Sequence, residues 1–271
     1  MDLGLSDRTC VVTGGSRGIG RATARLLCAE GANVLLVARS EDRLIEAADE
    51  CAAAAGEEAG GRAESLALDV TDPSAAERIV GEATERLGQL DVVVNGAGTA
   101  QWRDLDQVPD EDWYAAWEVN VMAPMRLMRA AVPGMSKRGW GRIVNVSSTS
   151  GKRPSAAMAE YSVAKAAELS LSRLYADRYA ADGVLINAIC PGPVKAELWM
   201  EEGGLLDQSK ELAGIESREE ALGVAGSKRP IGRLAEVDEI AAAIVFLCSE
   251  RASYTSGAAW SVDGGTVQVI I

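Results

Sequence analysis

Short aliphatic runs recur along the chain, separated by longer stretches in which apolar residues return every three or four positions. The runs are Cys10–Thr13, Asn33–Val37, Ser65–Leu68, Asp91–Val94, Arg142–Val146, Leu185–Ile189 and Ala258–Val262. They are rich in β-branched residues and apolar throughout, the pattern of strands buried on both faces. Helical spacing fills the intervals, as in Gly18–Glu30 and Ala159–Ala181. Strand and helix in alternation predict an α/β fold, a doubly wound parallel sheet of seven strands with helices on both faces. No linker breaks the rhythm, so residues 1–271 read as a single domain. The stretch CAAAAGEEAGG from Cys51 to Gly61 reads as a helix end and a glycine turn. Only at about 197–228 does a long segment, beginning ELWMEEGGLLDQSKELAG, enter between a strand and the next helix. Insertions at such places usually carry function.

The helix predicted at Ala159–Ala181 is apolar around more than one stripe. Val163, Ala167, Leu171 and Leu174 are accompanied by Ala164, Leu169 and Tyr175. A helix that covers one sheet needs a single stripe, so the surplus predicts burial against another subunit.

Composition narrows the classes. The chain is 48% hydrophobic and 25% charged, as in ordinary globular proteins, but only 4% aromatic with a single Phe. The core must therefore be aliphatic. A net charge of −13 works against nucleic acid or an anionic membrane as partner. The N-terminal MDLGLSDRTC lacks the basic and apolar regions of a signal peptide, and no run of 18 apolar residues occurs, so a cytoplasmic location is expected. Five cysteines, Cys10, Cys28, Cys51, Cys190 and Cys248, form no CxxC pair, and the chain has no histidine. Buried free thiols are expected and no metal site is.

The first strand leads into CVVTGGSRGIGRA, with Gly14, Gly18 and Gly20 ahead of a helix. Glycines here allow a tight turn and let backbone N–H groups approach a pyrophosphate at the helix N-terminus. The spacing is TGxxxGxG. Further motifs follow in order: LDV at Leu68–Val70, NGAG at Asn95–Gly98, Asn120, NVSS at Asn145–Ser148, Tyr161 with Lys165, PGPV at Pro191–Val194 and VDGG at Val262–Gly265. In this series the chain resembles the short-chain dehydrogenase/reductase family, along essentially its whole length. The resemblance implies a Rossmann-type fold and a nicotinamide dinucleotide. It implies cofactor contacts at Gly14, Ser16, Arg17, Gly18, Ile19, Gly20, Arg39 and Ser40. Asp69 and Val70 would lie at the adenine edge, and Asn95, Gly96, Ala97 and Gly98 beside the nicotinamide ribose. Tyr161 and Lys165 would flank that ribose, and Pro191, Gly192 and Val194 would hold the nicotinamide. Two departures stand out: Gly96 replaces a usual Asn, and Ala196 stands where Thr is common.

The second strand ends VLLVARSEDR. An NAD site normally places an acid there to accept from the ribose hydroxyls. Here Ala38 is followed by Arg39 and Ser40, and Arg17 lies in the glycine loop. A guanidinium suits a 2′-phosphate through charge-assisted, bidentate hydrogen bonds, so NADP(H) is expected.

Without histidine, proton transfer near neutral pH needs another group. Tyr161 is the tyrosine with a Lys four residues on, which puts both on one helix face. A phenol ordinarily ionises near pH ~10, but an ammonium and the positive ring of an oxidised nicotinamide stabilise the phenolate. Ser148, 13 residues before Tyr161, ends the fifth strand at the edge where ligands bind in such sheets. Its neighbour Ser147 has the same chemistry; the family pattern favours Ser148. The resemblance makes Asn120, Ser148, Tyr161 and Lys165 a catalytic tetrad. It implies reduction of a carbonyl to a secondary alcohol with hydride from NADPH, Tyr161 as acid, Ser148 polarising the oxygen, and Lys165 and Asn120 on a proton path.

The segment 197–228 is expected to be a substrate lid, with Leu198, Trp199, Met200, Leu205 and Leu206 lining a pocket shared with Met158 and Trp102. An apolar pocket favours a hydrophobic ketone or an acyl chain over a sugar. The chain looks much like 3-oxoacyl-acyl-carrier-protein reductases. Binding an acidic acyl carrier protein would need a basic patch, for which Arg126, Arg129, Lys137 and Arg138 are candidates. An NAD-dependent secondary-alcohol dehydrogenase shares these motifs, and a non-catalytic NADP(H)-binding sensor or scaffold shares the fold. The family's habit implies a homotetramer or homodimer.

Overall fold

The computed structural model describes residues 1–268, with backbone alone for 56–59. Seven strands make one parallel sheet: β1 (Thr9–Thr13), β2 (Asn33–Ala38), β3 (Ala63–Ala67), β4 (Val92–Asn95), β5 (Gly141–Val146), β6 (Val184–Pro191) and β7 (Ala259–Val262). Their order is β3-β2-β1-β4-β5-β6-β7. The chain reverses its direction of build between β1 and β4, which opens a crevice at the strands' carboxyl ends. The helices are α1 (Gly18–Ala29), α2 (Glu41–Ala59), α3 (Ala75–Leu87), α4 (Asp110–Trp117), α5 (Ala123–Arg138), α6 (Ala159–Tyr179), α7 (Glu197–Met200), α8 (Leu205–Ala213), α9 (Arg218–Ser227) and α10 (Val237–Cys248).

Side chains of successive strand residues feed two cores. Val12, Leu36, Val94, Val144 and Ile189 pack with α1, α2 and α10; Val11, Leu35, Val93, Ile143 and Ile186 pack with α3, α5 and α6. Each fully buried Val, Leu or Ile contributes roughly 1.5–3 kcal/mol, so both faces demand apolar residues. That is why the strands read as unbroken aliphatic runs. All five cysteines are buried and free.

The boundaries shift by one or two residues. β3 begins at Ala63 and ends before Leu68, although the Leu68 N–H still donates to Ala38 O at 2.8 Å. β6 continues to Pro191, carrying the chain into the PGPV turn. Gly60 ends α2 in the left-handed region, φ 71°.

The inward face of α6 is largely small or polar. Ala164, Lys165, Glu168, Ser172 and Ala176 are buried, while Val163 is 49% and Leu174 67% exposed. The apolar stripe through Val163 and Leu174 points away from the sheet. Segment 197–228 folds as α7, α8 and α9, and buries Leu205 and Leu206. Among the described residues no helix is long and apolar enough to cross a membrane.

Candidate active site

The turn after β1 is closed so tightly that side chains are excluded. Gly14 adopts φ 69°, and a Cβ on it would lie 2.7 Å from Gly96 O. A Cβ on Gly20 would lie 2.2 Å from Gly14 O. Glycine alone fits at these points, and α1 starts from the turn with its N-terminal N–H groups free for an anion. Thr13 Oγ1 lies within hydrogen-bonding distance of both Gly96 N (3.1 Å) and Ala97 N (3.3 Å), so the β1 and β4 turns are tied together.

A cavity of about 720 Å³ lies over these turns. Gly14, Ser16, Arg17, Gly18, Ile19 and Gly20 line it from the first turn. Arg39 and Ser40 line it after β2, Asp69 and Val70 after β3, and Gly96, Ala97 and Gly98 after β4. Asp69 accepts from Thr71 N (2.9 Å) and Thr71 Oγ1 (2.7 Å), and these bonds hold its carboxyl below the usual range. Asn95 stands apart from this set. Its side chain is buried and donates to Asn145 Oδ1 at 2.7 Å, so it braces the ends of β4 and β5 rather than facing the cavity.

Three arginines line the cavity. Arg17 pairs with Glu201 at 2.8 Å and Arg43 with the same carboxylate at 3.4 Å; Arg39 has no ion pair among the described residues. Arg43 was not singled out from sequence, although it follows Arg39 by four residues where α2 begins.

A second cavity of about 440 Å³ adjoins the first and shares Ile19, Gly96, Gly98 and Ala196 with it. Ser148, Tyr161, Lys165, Pro191, Gly192 and Val194 line it. Its apolar wall is Trp102, Met158, Leu198, Trp199 and Leu205, with the two indoles in edge contact at 6.5 Å.

Lys165 is buried. Its Nζ donates to Val146 O at 2.8 Å and to Glu168 Oε2 at 3.0 Å, and lies 5.8 Å from the Tyr161 ring centre. Burial opposes the ammonium, but Glu168 and Tyr161 outweigh it, and the net direction is upward from the ordinary lysine range. Burial also pushes the Glu168 carboxyl up, against the pull of Lys165. Glu168 has no helical-periodicity signal that marks it as functional.

The two serines separate. Ser147 is buried and its Oγ donates to Lys165 O at 3.1 Å, a structural bond. Ser148 opens a short 3₁₀ turn, with Oγ accepting from Ser150 N at 3.1 Å and its proton free for the cavity. Asn120 sits in a π turn, Glu118–Met122, of the kind that often re-aims side chains at functional sites. Its Nδ2 donates to Ala116 O at 2.9 Å, and its buried Oδ1 has no partner. A Cβ on Gly98 would lie 3.1 Å from that oxygen and 3.9 Å from Lys165 Nζ, so both groups flank the Gly98 position.

The expected basic patch is half consumed: Arg126 pairs with Glu118 and Arg138 with Asp91. Arg129 and Lys137 remain exposed.

This fold and this grouping define a nicotinamide-dinucleotide oxidoreductase architecture, and the comparisons agree. A family model described as enoyl-(acyl carrier protein) reductase matches residues 14–267. The chain belongs to the short-chain dehydrogenase/reductase family. It is 33% identical over 267 residues to the 3-oxoacyl-acyl-carrier-protein reductase of Vibrio cholerae, covering 98% of this chain and all of that protein. It is 37% identical over 270 residues to a cis-4-hydroxycyclohexanecarboxylate dehydrogenase of Sinomonas cyclohexanicum, covering 99% and 100%. Among solved structures, the L-sorbose reductase of Gluconobacter frateurii, complexed with NADPH and L-sorbose, matches with TM-score 0.90 and 37% identity over the whole of both chains.

Proposed function

We propose that the protein is a cytoplasmic, NADP(H)-dependent oxidoreductase that interconverts a hydrophobic ketone, or the keto group of a 3-oxoacyl thioester, and the secondary alcohol. The observation that carries this reading is the buried Lys165 ammonium, which lines the second cavity, fixed between Glu168 and the O of Val146, a residue that both cavities share, and beside Tyr161.

The glycine cradle, the lined crevice and the unpartnered Asn120 Oδ1 fit a nicotinamide dinucleotide. When bound, that group supplies or accepts the hydride. Ser148 Oγ donates to the substrate oxygen and positions it. Tyr161 Oη passes its proton to the same oxygen as charge develops there, and the Lys165 ammonium stabilises the phenolate left behind. Asn120 Oδ1 is placed to hold a water that returns a proton through Lys165. Segment 197–228, with Trp199 and Leu205, acts as the lid that excludes solvent.

Arg39 supports the 2′-phosphate preference, because it lines the cofactor cavity and makes no ion pair among the described residues. Replacing Ala38 with Asp and Arg39 with Leu is expected to turn the preference from NADPH to NADH, measured as the ratio of kcat/KM values. An unchanged ratio rejects the assignment.

The reaction itself is tested by NADPH oxidation at 340 nm, with an acetoacetyl thioester beside a bulky free ketone. Turnover is expected on at least one. Tyr161→Phe is expected to keep NADPH affinity and lose about 10²–10⁴-fold in kcat, the usual worth of a positioned acid. Near-normal turnover in that variant rejects the mechanism. The exposed apolar stripe of α6 supports assembly as a homodimer or homotetramer.

A further inference from the structure

The substrate cavity is electrostatically unlike the rest of the molecule. The chain carries 40 acids against 27 bases, yet among the described residues no Asp or Glu lines this cavity. Its cations are Lys165, which Glu168 compensates, and Arg153 and Arg229, which have no carboxylate partner among the described residues. The neighbouring cofactor cavity, by contrast, includes Asp69 and Glu197.

Arg229 is held in place by its surroundings. It follows α9, its N–H donates to Gly226 O at 2.9 Å, and Ile231 N–H donates to Gly264 O at 3.2 Å. The guanidinium gives one bond to Ala225 O, while its Nε is buried and has no partner. Burial moves it downward from the ordinary arginine range, with nothing to offset the loss of water. A half-buried guanidinium with no carboxylate partner favours an anion at the side it presents to the cavity. Arg153 reaches the same cavity from the turn that presents Ser148, its N–H anchored on Thr149 O at 2.8 Å. One arginine is therefore inside the cavity and the other is exposed beside it, across from an aromatic wall.

We propose that the substrate is an anionic ketone or alcohol, an oxo or hydroxy acid whose carboxylate is bound by Arg229 and Arg153 while its apolar skeleton lies on Trp102, Trp199 and Met158. This rests on the oxidoreductase reading above and names the substrate class for that site. A carboxylate takes two donors in the plane of a guanidinium, and in a cavity without competing acids that pairing selects against neutral ketones.

The test uses 4-acetylbenzoate and its neutral near-isostere 4-acetylbenzamide. Binding is measured by calorimetry on Tyr161→Phe loaded with NADPH, so that nothing turns over. The acid is expected to bind at least about tenfold more tightly than the amide, the worth of one charge-assisted hydrogen bond. Adding Arg229→Gln is expected to bring the ratio within about threefold, with NADPH affinity unmoved as the check on folding. Failure of the acid to bind, an amide that binds as well, or a preference that survives Arg153→Gln with Arg229→Gln overturns the proposal. An acetoacetyl phosphopantetheine that gains over its dephosphorylated form, with no gain for the carboxylate, also overturns it, in favour of a carrier arm. Parent enzyme that prefers the acid in binding but reduces neither 4-acetylbenzoate nor the thioester would sink the oxidoreductase reading and leave the anion site standing.

Discussion

Glu168 is the residue that holds Lys165 in charge and place. Its carboxylate lies 3.0 Å from Lys165 Nζ, and both side chains are almost fully buried. In so dry a setting their fields reach Tyr161 with little screening. The groups that face this pair are Tyr161 on the same helix, Cys190 from β6 and Ser147 from the end of β5. On the proposed mechanism Tyr161 takes the proton in alcohol oxidation, and the ammonium beside it favours that step. Glu168 is the strongest influence holding the Lys165 proton against burial, so removing the carboxylate weakens the ammonium. Glu168→Gln is therefore expected to lower the oxidation rate by about tenfold or more with NADP⁺ saturating, and Glu168→Asp to recover part of the loss. A Gln variant as fast as the parent would show that Lys165 works without this carboxylate.

The elements differ in how much of them the chain discloses. Strands such as β1 and β4 are buried on both faces, so their aliphatic runs admit one reading, and the boundaries shift by no more than two residues. The glycine loop was equally legible, because Gly14 and Gly20 answer to backbone contacts below 3 Å that no side chain tolerates. Helix α6 was legible as a helix but not in its orientation. Of the stripe Val163, Ala167, Leu171 and Leu174, Leu171 packs on the core while Val163 and Leu174 face outward, and the sheet side carries Lys165, Glu168 and Ser172. Polar residues can face inward there because they answer one another: Ser172 Oγ donates to Glu168 O at 2.8 Å and Asn145 Nδ2 donates to Ser172 Oγ at 2.7 Å. Periodicity reports that a stripe exists; a long-range network decides which way it points. The same holds for the ion pair between Arg17 and Glu201, whose partners are 184 positions apart and meet only through α7. Asn95 shows the converse, a motif residue whose side chain is spent on bracing two strands. Arg229 and Arg153 carried no spacing signal, since what distinguishes them is the acids absent around them.

At the scale of the molecule, one feature of α6 is costly for a monomer. Val163 and Leu174 are 11 residues apart, so they share a helix face, and they are 49% and 67% exposed. The neighbouring α4 adds Tyr114 at 74% and Trp117 at 43%. An acidic chain of net charge −13 repels its own copies, so association must rest on apolar area rather than on ion pairs. An exposed apolar group of this kind is the mark of an interface. Light scattering is therefore expected to return two or four times the 28.4 kDa chain mass. Because charge opposes association here, raising the salt should hold or strengthen the assembly, not dissolve it. Val163→Glu combined with Leu174→Glu should shift the mass to that of one chain while the far-ultraviolet circular dichroism stays unchanged, since neither side chain enters the core. A parent protein that scatters as a single chain, or a double variant that remains assembled, would show that this stripe is plain surface. The first result would also remove the reason why α6 can turn its polar face to the sheet and its aliphatic face outward.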